Sequence, residues 1–216
     1  RRLFQGCLLF PALRLFCSLR VEGLENLREL SGPVLLAANH TSHLDVPALL
    51  MALPEQLRSR TVAAAWAEYF EGLDLPSGTS KRLPALQRVA RRLEYYLAAA
   101  LIGILPLPQT RVLRPSLHDA GELIDMGWNV LIFPEGARTR TGEIAPFREG
   151  VGIMASWLKV PVVPVRVEGL FHVVPPGSFL PRPGAVSVRF GRPLAFPLSA
   201  SYLEIARRVE EAVRGL

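Results

Sequence analysis

The 216-residue chain is half apolar, enough to bury the core of one α/β domain, and carries a net charge of +6. Of its 25 basic residues only Lys81 and Lys159 are lysines, so the charge is almost all arginine, which suits bidentate contact with phosphate or carboxylate; genomic codon bias is the rival account. Aromatic residues are not interleaved with the arginines, which ranks nucleic acid below a membrane surface or an anionic substrate.

The first stretch, "RRLFQGCLLFPALRLFCSLR", reads as an apolar N-terminal helix over 1–20 with arginine at both ends. That is the pattern of an interfacial membrane anchor. A terminal helix docked on the core and the stub of a membrane segment are the alternatives. Because position 1 is Arg, the chain is taken as an excerpt of a longer protein or a processed product. Cys7 and Cys17 would stand roughly 15 Å apart on one helix, too far for a disulfide. Two cysteines point to a reducing compartment, with no disulfide framework and no Cys-based zinc site. The uncharged apolar runs 3–13 and 95–110 both contain Pro and Gly and fall short of the roughly 20 residues a spanning helix needs.

Strands are expected at 34–39, 60–65, 102–107, 129–133, 160–167 and 185–190. Two prolines push the fifth toward a sheet edge or a bulge. The sixth alternates Val186, Val188 and Phe190 with Ser187 and Arg189, as a half-buried strand does. Helices are expected at 47–52, 83–100, 115–126, 150–158 and 201–214, and a loop or insertion at 73–84. Arg88, Arg91 and Arg92 precede an apolar run in the long helix, a pattern shared by lipid-facing elements and ordinary core helices. The alternation predicts one α/β domain over 21–216, with a mostly parallel mixed sheet flanked by helices. Ligands of such sheets gather where strands end and helices begin.

The first constellation is "NHTSHLDVPALL", residues 39–50. Across a strand-to-helix turn, Asp45 can reach back to His40. A carboxylate on one imidazole nitrogen fixes the tautomer and leaves the other nitrogen free to take a proton from an alcohol. The competing account is a capping box in which Ser42 and Asp45 only start a helix. The spacing of His40, His43 and Asp45 is out of register for a binuclear metal centre, and no G-x-S-x-G elbow supplies a serine nucleophile. His118 and His172 are isolated.

The second constellation is "VLIFPEGARTRTGEIAPFREG", residues 130–150. Pro134-Glu135-Gly136 forms a tight turn at a strand end. In an extended segment Arg138 and Arg140 would point the same way, as two donors for a phosphate, and Glu135 could accept from a polyol hydroxyl. A polar loop with solvated arginines is the plain alternative. Arg111, in "LPLPQTR" after the third strand, is a weaker candidate for the same anion.

Together these blocks resemble the glycerolipid acyltransferases, whose well-known members include the 1-acylglycerol-3-phosphate acyltransferases. Asn39-His40-Thr41-Ser42-His43-Leu44-Asp45 matches the family's H-x-x-x-x-D block. Phe133-Pro134-Glu135-Gly136-Ala137-Arg138-Thr139 matches F-P-E-G-x-R-S, and Val160-Pro161-Val162-Val163-Pro164-Val165 matches the family's fourth block. The resemblance covers roughly residues 20–195. It implies His40 as general base, Asp45 as its partner, and Arg111, Glu135, Gly136 and Arg138 as acceptor-binding residues. It also implies an acyl thioester donor, either acyl-CoA or acyl carrier protein, and a lysophospholipid acceptor. No metal or bound cofactor is expected, and the enzyme would work at the cytoplasmic face of a membrane. The second block departs from the pattern, with Leu-Pro-Leu-Pro-Gln-Thr before Arg111, and Ala137 lacks a hydroxyl. A non-catalytic lipid- or acyl-carrier-binding domain of the same fold is the rival reading.

Overall fold

A computed structural model describes residues 2–28, 30–66, 102–107, 114–175, 178 and 180–216. The helix expected over 83–100, the loop over 73–84 and Arg111 lie outside them.

The chain begins as α1 (Arg2–Phe4), a π-helical turn over Gln5–Leu9, and α2 (Phe10–Phe16). Pro11 has no N–H to donate to the turn before it, and the widened turn sits there. The helix expected over 1–20 ends at Phe16, and Cys17 opens strand β1 (Cys17–Glu22). Pairing decides this boundary. β1 lies parallel to β7 (Gly184–Phe190), with Cys17 opposite Gly184 and Glu22 opposite Arg189.

Between these come β2 (Leu35–Ala38), α3 (Asp45–Ala52), α4 (Glu55–Arg58), β3 (Thr61–Trp66) and β4 (Ile104–Leu107). Next are α5 (Arg114–Asp125), β5 (Asn129–Ile132), α6 (Gly150–Leu158), β6 (Val162–Glu168) and α7 (Leu170–Val173). After β7 the last described element is α8 (Tyr202–Arg214). Gly127, at φ +79°, closes α5, and Trp128 N donates back to Leu123 O at 2.8 Å. Ser201 caps α8 by accepting from Glu204 N.

The seven strands run in the order β1-β7-β6-β2-β5-β3-β4. Every neighbouring pair is parallel except β6–β7. The mostly parallel mixed sheet expected from the alternation is what forms. Strands β2 and β5 are buried on both faces, so β2 and, after Asn129, β5 read as apolar runs. Leu36, Ala38 and Leu131 enter a core shared with α2 and α3. Leu35, Ala37, Val130 and Ile132 enter a second core with α5, α6 and α8 on the opposite face. No helix among the described residues is long and apolar enough to cross a membrane.

Strand β6 is not at an edge, since it pairs with β2 and β7. The proline does mark a bulge. Val165 faces Phe190 and Val162 forms an isolated bridge to Leu194, so residues 163–164 oppose residues 191–193. Pro164 accepts from Gly191 N at 2.8 Å and returns no bond, which is tolerable only where the ladder is already offset.

Candidate active site

Strand β2 stops at Ala38, and Asn39 turns its amide sideways onto β6. Its Nδ2 donates to Val167 O at 2.9 Å, and Val167 N donates to its Oδ1 at 2.7 Å. The strand tip is thereby clamped to its neighbour through a side chain that is 3% exposed.

His40 comes next. Its backbone N–H donates to Glu135 Oε1 at 2.7 Å, and its carbonyl accepts from Thr139 N at 2.9 Å. The ring stacks on Phe133 with centroids 4.1 Å apart. Nδ1 lies 2.7 Å from Asp45 Oδ2, and about a fifth of the His40 side chain remains exposed.

Asp45 opens α3 and is fully buried. Besides His40, its carboxylate accepts from Thr41 N at 2.5 Å, Ser42 N at 2.9 Å and Thr41 Oγ1 at 2.9 Å. With three other donors already on this carboxylate, the network assigns the proton to His40 Nδ1 and leaves the Nε2 lone pair free. The Ser42 N to Asp45 bond is half of a capping box. Helix initiation and histidine orientation therefore use the same carboxylate. His43, the residue that gave the stretch its metal-like look, is exposed.

The turn after β5 supplies the other wall. Gly136 N donates to Phe133 O at 3.0 Å, closing the expected turn with Pro134 at its second position. Glu135 is 5% exposed, and its second oxygen accepts Ala145 N at 2.8 Å. Burial pushes its carboxyl above the usual range, against the opposing pull of the His40 and Ala145 N–H groups. Both oxygens are thus engaged by backbone donors, and the residue braces the strand tip against the 145 segment.

Arg138 and Arg140 are exposed. The segment carrying them is not extended, because Thr139 Oγ1 accepts from Thr141 N (3.3 Å) and Gly142 N (3.1 Å) and bends the chain. A cleft of about 330 Å³ opens between the 141–144 loop and the end of β6, with Asn39, Thr41, Glu168 and His172 in its wall.

His40, Asp45, Glu135 and Gly136 are thus brought together at the adjacent tips of β2 and β5, with Arg138 following on the same turn. The reading of the sequence missed Asn39's clamp, Phe133's stacking and Thr41's two bonds to Asp45. A polar residue directly after an apolar strand was the available signal for Asn39.

An imidazole held by a buried carboxylate at a strand tip of a parallel sheet is an arrangement able to take up and return a proton. Residues 18–168 match the acyltransferase family, and the chain belongs to it. A chloroplastic 1-acyl-sn-glycerol-3-phosphate acyltransferase of Brassica napus is 28% identical over 162 residues, covering 73% of this chain and 39% of that protein. A 1-acyl-sn-glycerol-3-phosphate acyltransferase of Saccharomyces cerevisiae is 25% identical over 186 residues, covering 85% of this chain and 54% of that protein. The chain therefore spans well under two thirds of these relatives. The crystal structure of PlsC, the 1-acyl-sn-glycerophosphate acyltransferase of Thermotoga maritima, shares the fold. Its TM-score is 0.70 at 24% identity, over 98% of this chain and 76% of that one.

Proposed function

We propose that this chain catalyses O-acyl transfer from an acyl thioester, acyl-CoA or acyl carrier protein, to the free hydroxyl of 1-acylglycerol-3-phosphate, giving phosphatidate. The observation that carries this reading is the 2.7 Å contact between His40 Nδ1 and Asp45 Oδ2. The names of the Brassica and Saccharomyces relatives support the choice of acceptor.

In this mechanism His40 Nε2 takes the hydroxyl proton as the acceptor oxygen attacks the thioester carbonyl carbon. The carbonyl π pair moves onto oxygen to form a tetrahedral intermediate. Asp45 stabilises the positive imidazolium through Nδ1–H. The intermediate collapses, the C–S bond breaks, and His40 returns its proton to the departing sulfur as the ester forms. The steps balance without a metal ion or bound cofactor. Arg138, on the Gly136 turn, binds the acceptor phosphate, Arg111 is given the same role by the family resemblance alone, and Glu135 and Gly136 shape the turn that carries Arg138.

The same reading places the protein at the cytoplasmic face of a membrane, where both acceptor and product reside. Leu3, Phe4, Leu8 and Leu15 are 61–80% exposed on the N-terminal helix, alongside Arg2 and Arg14. Apolar side chains flanked by arginine suit shallow insertion among anionic headgroups.

The test is to give purified protein acyl-CoA or acyl carrier protein with lysophosphatidate and follow both free thiol and phosphatidate. Equal, acceptor-dependent release of the two is expected. No turnover with either donor across a panel of lysophospholipids would favour a non-catalytic lipid- or acyl-carrier-binding domain.

A further inference from the structure

Arg148 lies inside the 130–150 stretch but was given no role there, and it lies against the turn at the centre of the site. Gly136 has φ +75°, and a Cβ built on it would stand 2.9 Å from Arg148 Cζ and Nε and 3.1 Å from Nη1. The guanidinium therefore occupies the space that any other residue at 136 would fill. The neighbouring Glu135 holds the His40 backbone, so this cation sits one residue from the tether of the base.

The segment carrying Arg148 is pinned at several points. Arg148 N donates to Pro134 O at 3.0 Å. Phe147 N donates to Glu210 Oε2 at 2.8 Å, and Arg214 Nη2 donates to Ile144 O at 2.6 Å. Arg214 in turn pairs with Glu210 at 2.8 Å. Some arginines elsewhere on the surface hold carboxylates, Arg58 with Glu55, Arg166 with Glu168 and Arg189 with Glu168, while others such as Arg138 and Arg207 are exposed without an ion pair among the described residues. The Arg148 side chain is exposed and has no ion-pair or hydrogen-bond partner among the described residues. A solvated arginine needs neither a pinned backbone nor a glycine seat. A pinned backbone and close packing against the turn hold the fork in place before an anion arrives.

We infer that Arg148 is a further cationic contact for the phosphomonoester of the acceptor, seated on Gly136 and acting beside Arg138. The inference rests on the acceptor proposed above, and it assigns a use to the absence of a side chain at position 136.

The probes are sn-glycerol 3-phosphate and inorganic phosphate, titrated calorimetrically into wild type, Arg148→Gln and Arg148→Lys, with lysophosphatidate kinetics alongside. Arg148→Gln should weaken glycerol 3-phosphate binding and raise the acceptor KM, each about 10- to 100-fold. The thioester KM and kcat at saturating acceptor should not change. Arg148→Lys, which keeps charge but loses the fork, should fall between. Arg207→Gln, on the exposed side of α8, should match wild type. Folding of each variant is checked by circular dichroism.

Wild-type affinity and KM in a folded Arg148→Gln would overturn the inference while leaving the acyltransferase reading intact. Arg148-dependent binding in a protein without turnover would uphold the inference and remove the catalytic reading. No binding of either probe to wild type would overturn it. Inorganic phosphate bound as tightly as glycerol 3-phosphate would overturn the acceptor assignment in favour of a free-anion site.

Discussion

Glu135 Oε1 accepts the backbone N–H of His40 at 2.7 Å. Ninety-five positions separate the two residues, and the bond ties the strand tip carrying His40 to the turn carrying Gly136 and Arg138. In the proposed mechanism proton transfer and anion binding therefore share one frame, and a change in either half is felt in the other.

Glu135 carries a pH signature. Its carboxyl is raised by burial above the ordinary range. The folded state therefore holds a proton that the unfolded chain has already lost in the window between the ordinary and the raised value. Stability from this group falls as pH rises through that window. Glu135→Gln should abolish this component, since the amide does not titrate. It should also destabilise at all pH values, because an NH₂ replaces one of two acceptors facing N–H groups. Urea midpoints across the acid range check both; a slope in the variant equal to wild type would count against the assignment.

Asp45→Asn keeps the size of the side chain and changes what it presents to His40. An amide can offer Nδ1 a donor where an acceptor is needed, which favours the wrong tautomer. The expected result is a loss of about 10²–10⁴ in kcat with little change in acceptor KM. Steady-state kinetics with full-length lysophosphatidate measure it, and a pure KM effect would point to a structural role for Asp45.

Asn39→Ala should cost about 1–3 kcal/mol, because Val167 loses partners for its N–H and carbonyl in a dry part of the sheet. Asn39→Asp should do almost as badly, since it keeps the acceptor for Val167 N but has no donor for Val167 O. Denaturant unfolding reports the loss. The same variants should lower activity, because His40 is the next residue.

The N-terminal helix is testable by itself in place. Leu8→Ser and Leu15→Ser remove apolar surface that faces outward, at 61% and 75% exposure. Each should weaken partition onto vesicles of phosphatidylcholine with anionic phosphatidylglycerol by about tenfold. Added salt should weaken it further through the arginines. Sedimentation with vesicles is the measurement, and unchanged binding in the double variant would remove this surface from the account.

The central part of this fold was legible because its strands are buried on both faces. Runs such as 34–39 and 129–133 contain too little polar punctuation to be anything but interior strands of a parallel sheet. Asp45 was legible for a similar reason: a strand-to-helix turn brings residues five apart together, and the local chemistry needs no distant partner. What could not be read depends on contacts far along the chain. Nothing between 17 and 22 announces that β1 will find β7 more than 160 residues later, so an apolar helix was extended through it. The two prolines of 160–167 left an edge and a bulge both open, and the structure shows the second, since a proline reports a missing donor and not which neighbour loses the bond. Arg148 is the extreme case. Only folding places it on Gly136, and no periodicity connects the two.

The most direct test is the rate of acyl-thioester cleavage by His40→Ala against wild type, with lysophosphatidate present and a strong chelator in both arms. The account predicts that wild-type thiol release survives the chelator and that the variant, folded by circular dichroism, loses about a hundredfold or more. Equal rates in wild type and variant would contradict His40 as the base, and loss of the wild-type rate in chelator would contradict metal-free proton transfer.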